Sequence, residues 1–159
     1  MSSRSGIGID VHPFSEDPSR ALVLGGVRFE GEPGLEGHSD ADVVAHAVCD
    51  ALLGAAGLGD IGMHFPDSDD RWRGADSLAL LSEVAGRVRA AGYRFVNADC
   101  TVVAERPRIL AAREDMITKL SQAAGGPVHV KATRPERLGA LGRVEGIACL
   151  AVASLEEVG

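Results

Sequence analysis

Aromatic residues are scarce, with one Trp, one Tyr and four Phe in 159 residues. A core of any size must therefore be aliphatic, built from Ala, Val, Leu and Ile. Cysteine is also sparse: Cys49, Cys100 and Cys149 stand far apart and form no CxxC pair. That spacing argues against a zinc ribbon or a disulfide framework, and it reads as buried free thiols in a reducing compartment. No apolar run approaches the ~18 residues of a membrane span, and the opening MSSRS has no signal-peptide character. The expectation is a cytoplasmic protein with no membrane partner. Positive charge is short too, since the formal net charge is −7. Phosphate backbones attract basic surfaces, so nucleic acid is not an expected partner either. A small phosphorylated ligand remains compatible, provided that metal, backbone N–H groups or a few placed arginines supply local positive charge.

What is present suffices for one domain over residues 1–159. A chain of this length buries roughly two-thirds of its unfolded surface. No repeat, low-complexity tract or linker divides it. Ile7, Ile9 and Val11 alternate with Gly8, Asp10 and His12, which predicts a strand with one apolar and one polar face. Ala21–Leu24 and Val27–Phe29 flank Gly25-Gly26, a hairpin signal. Ser39-Asp40-Ala41-Asp42 reads as a capping box ahead of a helix from Asp42 to about Ala56, stopped by Gly57. A loop rich in Asp, Pro and Gly runs from Gly59 to Gly74. Asp76 or Ser77 then caps a second helix with Leu78, Leu81, Val84 and Val88 on one face, closed by Gly92. Phe95–Ala104 reads as a buried strand broken by Arg106-Pro107, and a third helix is predicted from about Ile109 to Ala124. Val128–Thr133 and Ile147–Leu155 complete the strands. Strands interleaved with helices predict an α/β (α+β) layer fold, a sheet of about four main strands with helices on one face and a small hairpin.

Asp10 and His12, two apart on a strand, project from the same face. A carboxylate beside an imidazole suits a borderline cation, and equally describes an exposed polar face. His46 lies among Val43, Val44, Ala45, Ala47 and Val48, so its helix is largely buried. A buried histidine needs a partner, and a metal is one way to supply it. Asp60, within Gly59–Gly62, and the run Asp67, Asp69, Asp70 read as loop caps or as acceptors for ribose hydroxyls. Lys131, Arg134, Arg137 and Arg143, with Glu136 and Glu145 among them, read either as surface ion pairs or as a phosphate-facing loop with a carboxylate for a hard cation.

In order along nearly the whole chain, these segments resemble the 2-C-methyl-D-erythritol 2,4-cyclodiphosphate synthase family of the non-mevalonate isoprenoid pathway. The resemblance rests on GIDVH at residues 8–12, GHSDADV at 37–43 with His46, and DALLGAAGLGDIG at 50–62. It continues through FPD at 65–67, GADS at 74–77, KAT at 131–133 and GRVEGIA at 142–148. It implies a homotrimer with sheets facing the central axis and active sites between subunits. It also implies cyclisation of 4-diphosphocytidyl-2-C-methyl-D-erythritol 2-phosphate with release of CMP. Asp10, His12 and His46 would hold one Zn²⁺ per active site, and Glu136 a Mg²⁺ or Mn²⁺ with the substrate diphosphate. His38, Thr133 and Arg134 take the catalytic positions. Substrate contacts fall at Ser39, Asp60, Ile61, Gly62, Phe65, Asp67 and Asp69, and at Ala104, Glu105, Arg106, Pro107, Arg108, Ile109 and Leu110, which resemble the cytosine-holding segment. Thr133, Arg134, Glu136 and Arg143 complete them, with Arg143 and Glu145 matching residues along the trimer axis.

The chain departs from the family in reading Thr133-Arg134-Pro135-Glu136 where a run of threonines is usual, and Ala140 where an aromatic is common. Two alternatives stand beside this reading. A zinc phosphohydrolase would use the same three ligands and give a linear product. A metal-stabilised binding protein would be expected to close its zinc with four protein ligands, often cysteines, which this chain does not offer. At this length the expectation is a single domain without a fused cytidylyltransferase.

Overall fold

Eleven residues of alternating character, Ser3–Pro13, form the first strand, β1, and its alternation is read the opposite way from an ordinary amphipathic strand. Ile7, Ile9 and Val11 are more than half exposed, while Gly6, Gly8, Asp10 and His12 face a helix. The computed structural model describes residues 2–159. After β1 come β2 (Leu22–Leu24) and β3 (Val27–Phe29), then α1 (Val43–Ala56), α2 (Ile61–His64), α3 (Ser77–Ala90) and β4 (Tyr93–Val103). The chain ends with α4 (Arg113–Ala124), β5 (Val128–Thr133), α5 (Gly139–Gly142) and β6 (Gly146–Glu157).

The main sheet has the order β1-β6-β4-β5, with β4 and β5 parallel and the other neighbours antiparallel. β2 and β3 form the expected hairpin. Helices α1, α3 and α4 cover one face, where the buried side chains of β6 (Ile147, Cys149, Ala151, Ala153 and Leu155) meet the valines and alanines of α1. The three thiols lie in that interior. Among the described residues no helix is long and apolar enough to cross a membrane.

Glycine decides how close α1 lies to β1. A Cβ at Gly8 would fall 1.9 Å from the Ala47 carbonyl oxygen, and one at Gly6 2.2 Å from that of Ala51. Only hydrogen fits at either position, so the helix backbone rests directly on the strand. His46, on that same helix face, is thereby brought to Asp10 and His12.

Three expectations shift. The first helix starts at Val43 with Asp42 as its cap, not at a Ser39 capping box: the Asp42 carboxylate accepts from the N–H groups of Val44 and Ala45. It also accepts from Gly25 and Gly26 at 2.8 and 2.7 Å, tying the hairpin to the helix. The third long helix begins at Arg113, because residues 109–112 form a separate turn after Pro107 and Leu110 is 82% exposed. The Gly59–Gly74 segment is not all loop, since it holds α2 and a single 3₁₀ turn at Asp70–Trp72.

Candidate functional site

Asp10 and His12 leave the β1 face that packs on α1, and His46 descends from α1 to meet them. The Asp10 Oδ2 lies 3.1 Å from both His12 Nε2 and His46 Nδ1. One ligand atom from each residue falls within 4.8 Å of the others. The outer ring nitrogens are fixed from behind. His12 Nδ1 is 2.6 Å from the Glu36 carbonyl oxygen; a carbonyl only accepts, so the ring donates there and turns its Nε2 lone pair inward. His46 Nε2 lies 2.8 Å from Ser77 Oγ, and that hydroxyl donates onward to Asp40. The imidazole therefore donates to Ser77 and keeps its Nδ1 lone pair for the site. At these separations the three inward atoms are joined either by protons that the imidazoles donate to Asp10 or, with those protons displaced, by a cation. Two imidazoles and a carboxylate, each oriented by a second hydrogen bond, suit a borderline divalent metal.

Electrostatics agree with the geometry. Burial pushes the Asp10 carboxyl up, but hydrogen bonds from His12 and His46 and their charge outweigh it and bring the pKa to about 2. The hydrogen bond to Asp10 raises the His12 imidazole above its usual 6.5, against the opposing effect of burial. Behind the site, burial and the charge of Asp40 raise the Asp42 carboxyl.

A cleft of about 270 Å³ opens over this cluster, lined also by Gly37, His38, Ser39, Ile61, Gly62, Phe65, Asp67, Trp72 and Leu80. His38 faces it, with Nε2 3.3 Å from the Asp69 carbonyl oxygen. Ser39 is buried, its hydroxyl accepting from Ala41 N–H at 3.2 Å and lying 3.2 Å from His46 Nε2. Asp60 caps α2, accepting from Met63 N–H at 2.9 Å, and thereby places Ile61 and Gly62 at the cleft wall. Asp69 caps the 3₁₀ turn and pairs with Arg71, away from the wall.

The remaining expected residues gather elsewhere. A second cleft, of about 430 Å³, is lined by Ala104, Glu105, Pro107, Arg108, Ile109, Leu110, Thr133, Arg134 and Glu136. Arg106 turns aside to Glu32 at 2.9 Å, and Arg143 pairs with Glu145 at 2.7 Å, in neither cleft. The sheet order explains the division. β1, which carries Asp10 and His12, is one edge, and β5, which ends at Thr133, is the other. Three strand spacings, about 14 Å, separate them. Register places Asp10, Cys149, Val102 and Ala132 in one row across the four strands, so both clefts open at the same end of the sheet.

Ser77, Asp40 and the Glu36 carbonyl went unassigned in the sequence, as did Trp72. Only the GADS segment hinted at Ser77; its partner His46 is 31 positions away. Trp72 packs edge-on against Phe65 at 4.8 Å between ring centroids, which shapes the mouth of the first cleft.

The YgbB family model matches residues 3–156. The chain is 57% identical over 158 residues to the 2-C-methyl-D-erythritol 2,4-cyclodiphosphate synthase of Rubrobacter xylanophilus, covering 96% of this chain and 94% of that protein. It is also 57% identical over 156 residues to the bifunctional enzyme IspD/IspF of an Anaeromyxobacter species, covering 96% of this chain and 40% of the relative. It thus spans about two-fifths of the length of such bifunctional relatives. The structure of IspF from Plasmodium falciparum in complex with CDP superposes with a TM-score of 0.85 at 30% identity, covering 99% of this chain and 98% of that one. A carboxylate and two imidazoles able to hold a metal at one sheet edge, a second cleft at the other, and these matches along the length of the chain lead to one conclusion: the chain belongs to the YgbB family.

Proposed function

We propose that the protein cyclises 4-diphosphocytidyl-2-C-methyl-D-erythritol 2-phosphate to 2-C-methyl-D-erythritol 2,4-cyclodiphosphate with release of CMP. The observation that carries this reading is the Asp10, His12 and His46 cluster, whose three ligand atoms converge within 4.8 Å of one another beside an open cleft, a geometry suited to a cation. The family relationship to proteins named for this synthesis, and a similar structure described as a CDP complex, support it.

The reaction needs no protein nucleophile. An oxygen of the substrate's 2-phosphate forms a bond to the β-phosphorus, and the bond from that phosphorus to the α–β bridging oxygen breaks. CMP leaves with the electron pair. The protein's work is to hold a crowded polyanion in line and to neutralise it. Asp10, His12 and His46 would hold a Zn²⁺, and Glu136 would hold a Mg²⁺ or Mn²⁺. Bound there, such cations withdraw charge from phosphate oxygens and so favour attack at phosphorus. His38 donates toward the 2-phosphate end of the substrate, and Arg134 and Thr133 donate toward the diphosphate. The cleft walls formed by Ala104, Pro107, Arg108, Ile109 and Leu110 hold cytosine, while Ile61, Gly62, Phe65 and Asp67 enclose the sugar unit.

The two clefts lie on opposite edges of one sheet, which supports a site shared between neighbouring chains. The protein acts as a homotrimer in which the β1 edge of one subunit meets the β5 edge of the next. Ile7, Ile9 and Val11, with Val152 and Leu150 paired in register with the first two, give the sheet an open apolar face suited to burial between copies. The test is ³¹P NMR of the purified protein with the cytidylylated substrate and Mg²⁺. Cyclic diphosphate and CMP are expected, and both should vanish in His46→Ala. A linear phosphate product would instead identify a zinc phosphohydrolase.

A further inference from the structure

We infer that Glu105 is a positioning residue that aims Arg134 at the diphosphate of the bound nucleotide, an inference that rests on the cyclase reading above. Glu105 lies two residues past the end of β4, and its side chain is only 10% exposed, although it lines an open cleft. A carboxylate so enclosed requires partners, and it has two. Oε2 accepts from Arg134 Nη2 at 3.2 Å, and Oε1 accepts from the Arg137 backbone N–H at 2.6 Å. Both oxygens are thereby committed to the same short segment, residues 134–137. That segment is not a relaxed one: Glu136 and Arg137 carry φ values of +52° and +64°, a left-handed pair without glycine. Glu105 holds the turn by its backbone and the guanidinium by one amino group. Among the described residues, the other Arg134 donors have no protein partner and remain for a ligand.

The arrangement has a chemical purpose. A guanidinium presents its donors in a rigid planar fork, so its value to a diphosphate depends on the angle at which that plane is held. A long side chain that is 55% exposed has no such angle unless something fixes it. Glu105 supplies the restraint from the cleft floor, and the nearby exposed Arg108 offsets the charge of that carboxylate.

The experiment is a double-mutant cycle read by calorimetric titration of the full chain with CDP. Glu105→Gln keeps an oxygen for the Arg137 N–H, so the turn persists, but removes the charge that orients Arg134. It should weaken CDP binding about tenfold, the worth of one charge-assisted hydrogen bond. Combined with Arg134→Ala, the same Glu105→Gln change should cost less than about twofold, because the residue it acts through is gone. Glu105→Asp provides a second route should the Gln variant fail to fold, and it too should weaken CDP only while Arg134 is present. Unchanged CDP affinity in Glu105→Gln, or an equal loss with and without Arg134, would overturn the inference. If the wild-type chain itself does not bind CDP, the cyclase reading fails and the inference falls with it; the wild-type titration separates that case from the others.

Discussion

Ser77 bears no charge, yet its hydroxyl decides which nitrogen of His46 faces the metal. It accepts from Nε2 and donates its own O–H to Asp40, so the inward nitrogen is the one left for a metal. Ser77→Ala should therefore lower zinc affinity by about 10–100-fold while leaving the three ligands in place, measured by competition with a chromophoric chelator. His12 sets the pH dependence. Its pKa is raised by Asp10, so a proton competes for Nε2 at higher pH than it would on a free imidazole. Zinc affinity should accordingly fall as pH is lowered from about 8 to about 6, and His12→Ala should flatten that slope. Asp42 contributes to stability instead. Its buried carboxylate satisfies four backbone N–H groups in two elements. Asp42→Ala should lower unfolding stability by about 3 kcal/mol in urea titration, from the lost cap and the stranded Gly25 and Gly26 donors.

At the scale of elements, the contact between β1 and α1 is the feature on which the metal site depends. Gly8→Ala would drive a methyl into the Ala47 carbonyl, so α1 must lift and carry His46 with it. The expected result is at least about a tenfold loss of zinc affinity together with a lower melting temperature, read by chelator competition and thermal denaturation. This contact also marks where the sequence was legible. The four main strands, the hairpin and the first two long helices follow from alternation, glycine pairs and caps, and the structure bears them out. Asp10, His12 and His46 could be singled out because two share a strand face and the third sits in an apolar helix. The apolar alternation of β1 gave no hint that its glycine side is the packed one, since that depends on a helix more than 30 residues away. The start of α4 was misread because Ile109 and Leu110 continue the apolar pattern, although they belong to the turn lining the second cleft. α2 and α5 are single turns, too short to carry a period. Glu105 attracted notice only as part of the cytosine-holding segment, since its partners are 29 and 32 residues away.

For the molecule as a whole, the proposed division of the site between two sheet edges leads to a sharp test. His46→Ala spoils the β1 edge and Arg134→Ala the β5 edge, so each variant alone should be inactive or nearly so. Unfolded together and refolded as mixed trimers, they should regain activity, because some interfaces pair an intact β1 edge with an intact β5 edge. Recovery near zero would require both clefts of one chain to serve the same site, which the strand order opposes. Sedimentation should report three times the chain mass of 16.5 kDa.

The open apolar face of β1 and β6 has one more consequence, and it concerns dilution. If half of every site is borrowed from a neighbour, catalysis and assembly are governed by a single equilibrium. Specific activity should then depend on protein concentration, constant while trimers persist and falling steeply below the concentration at which they separate. A lone chain under those conditions would keep its cation and its fold's interior, and would still be unable to turn over one substrate molecule.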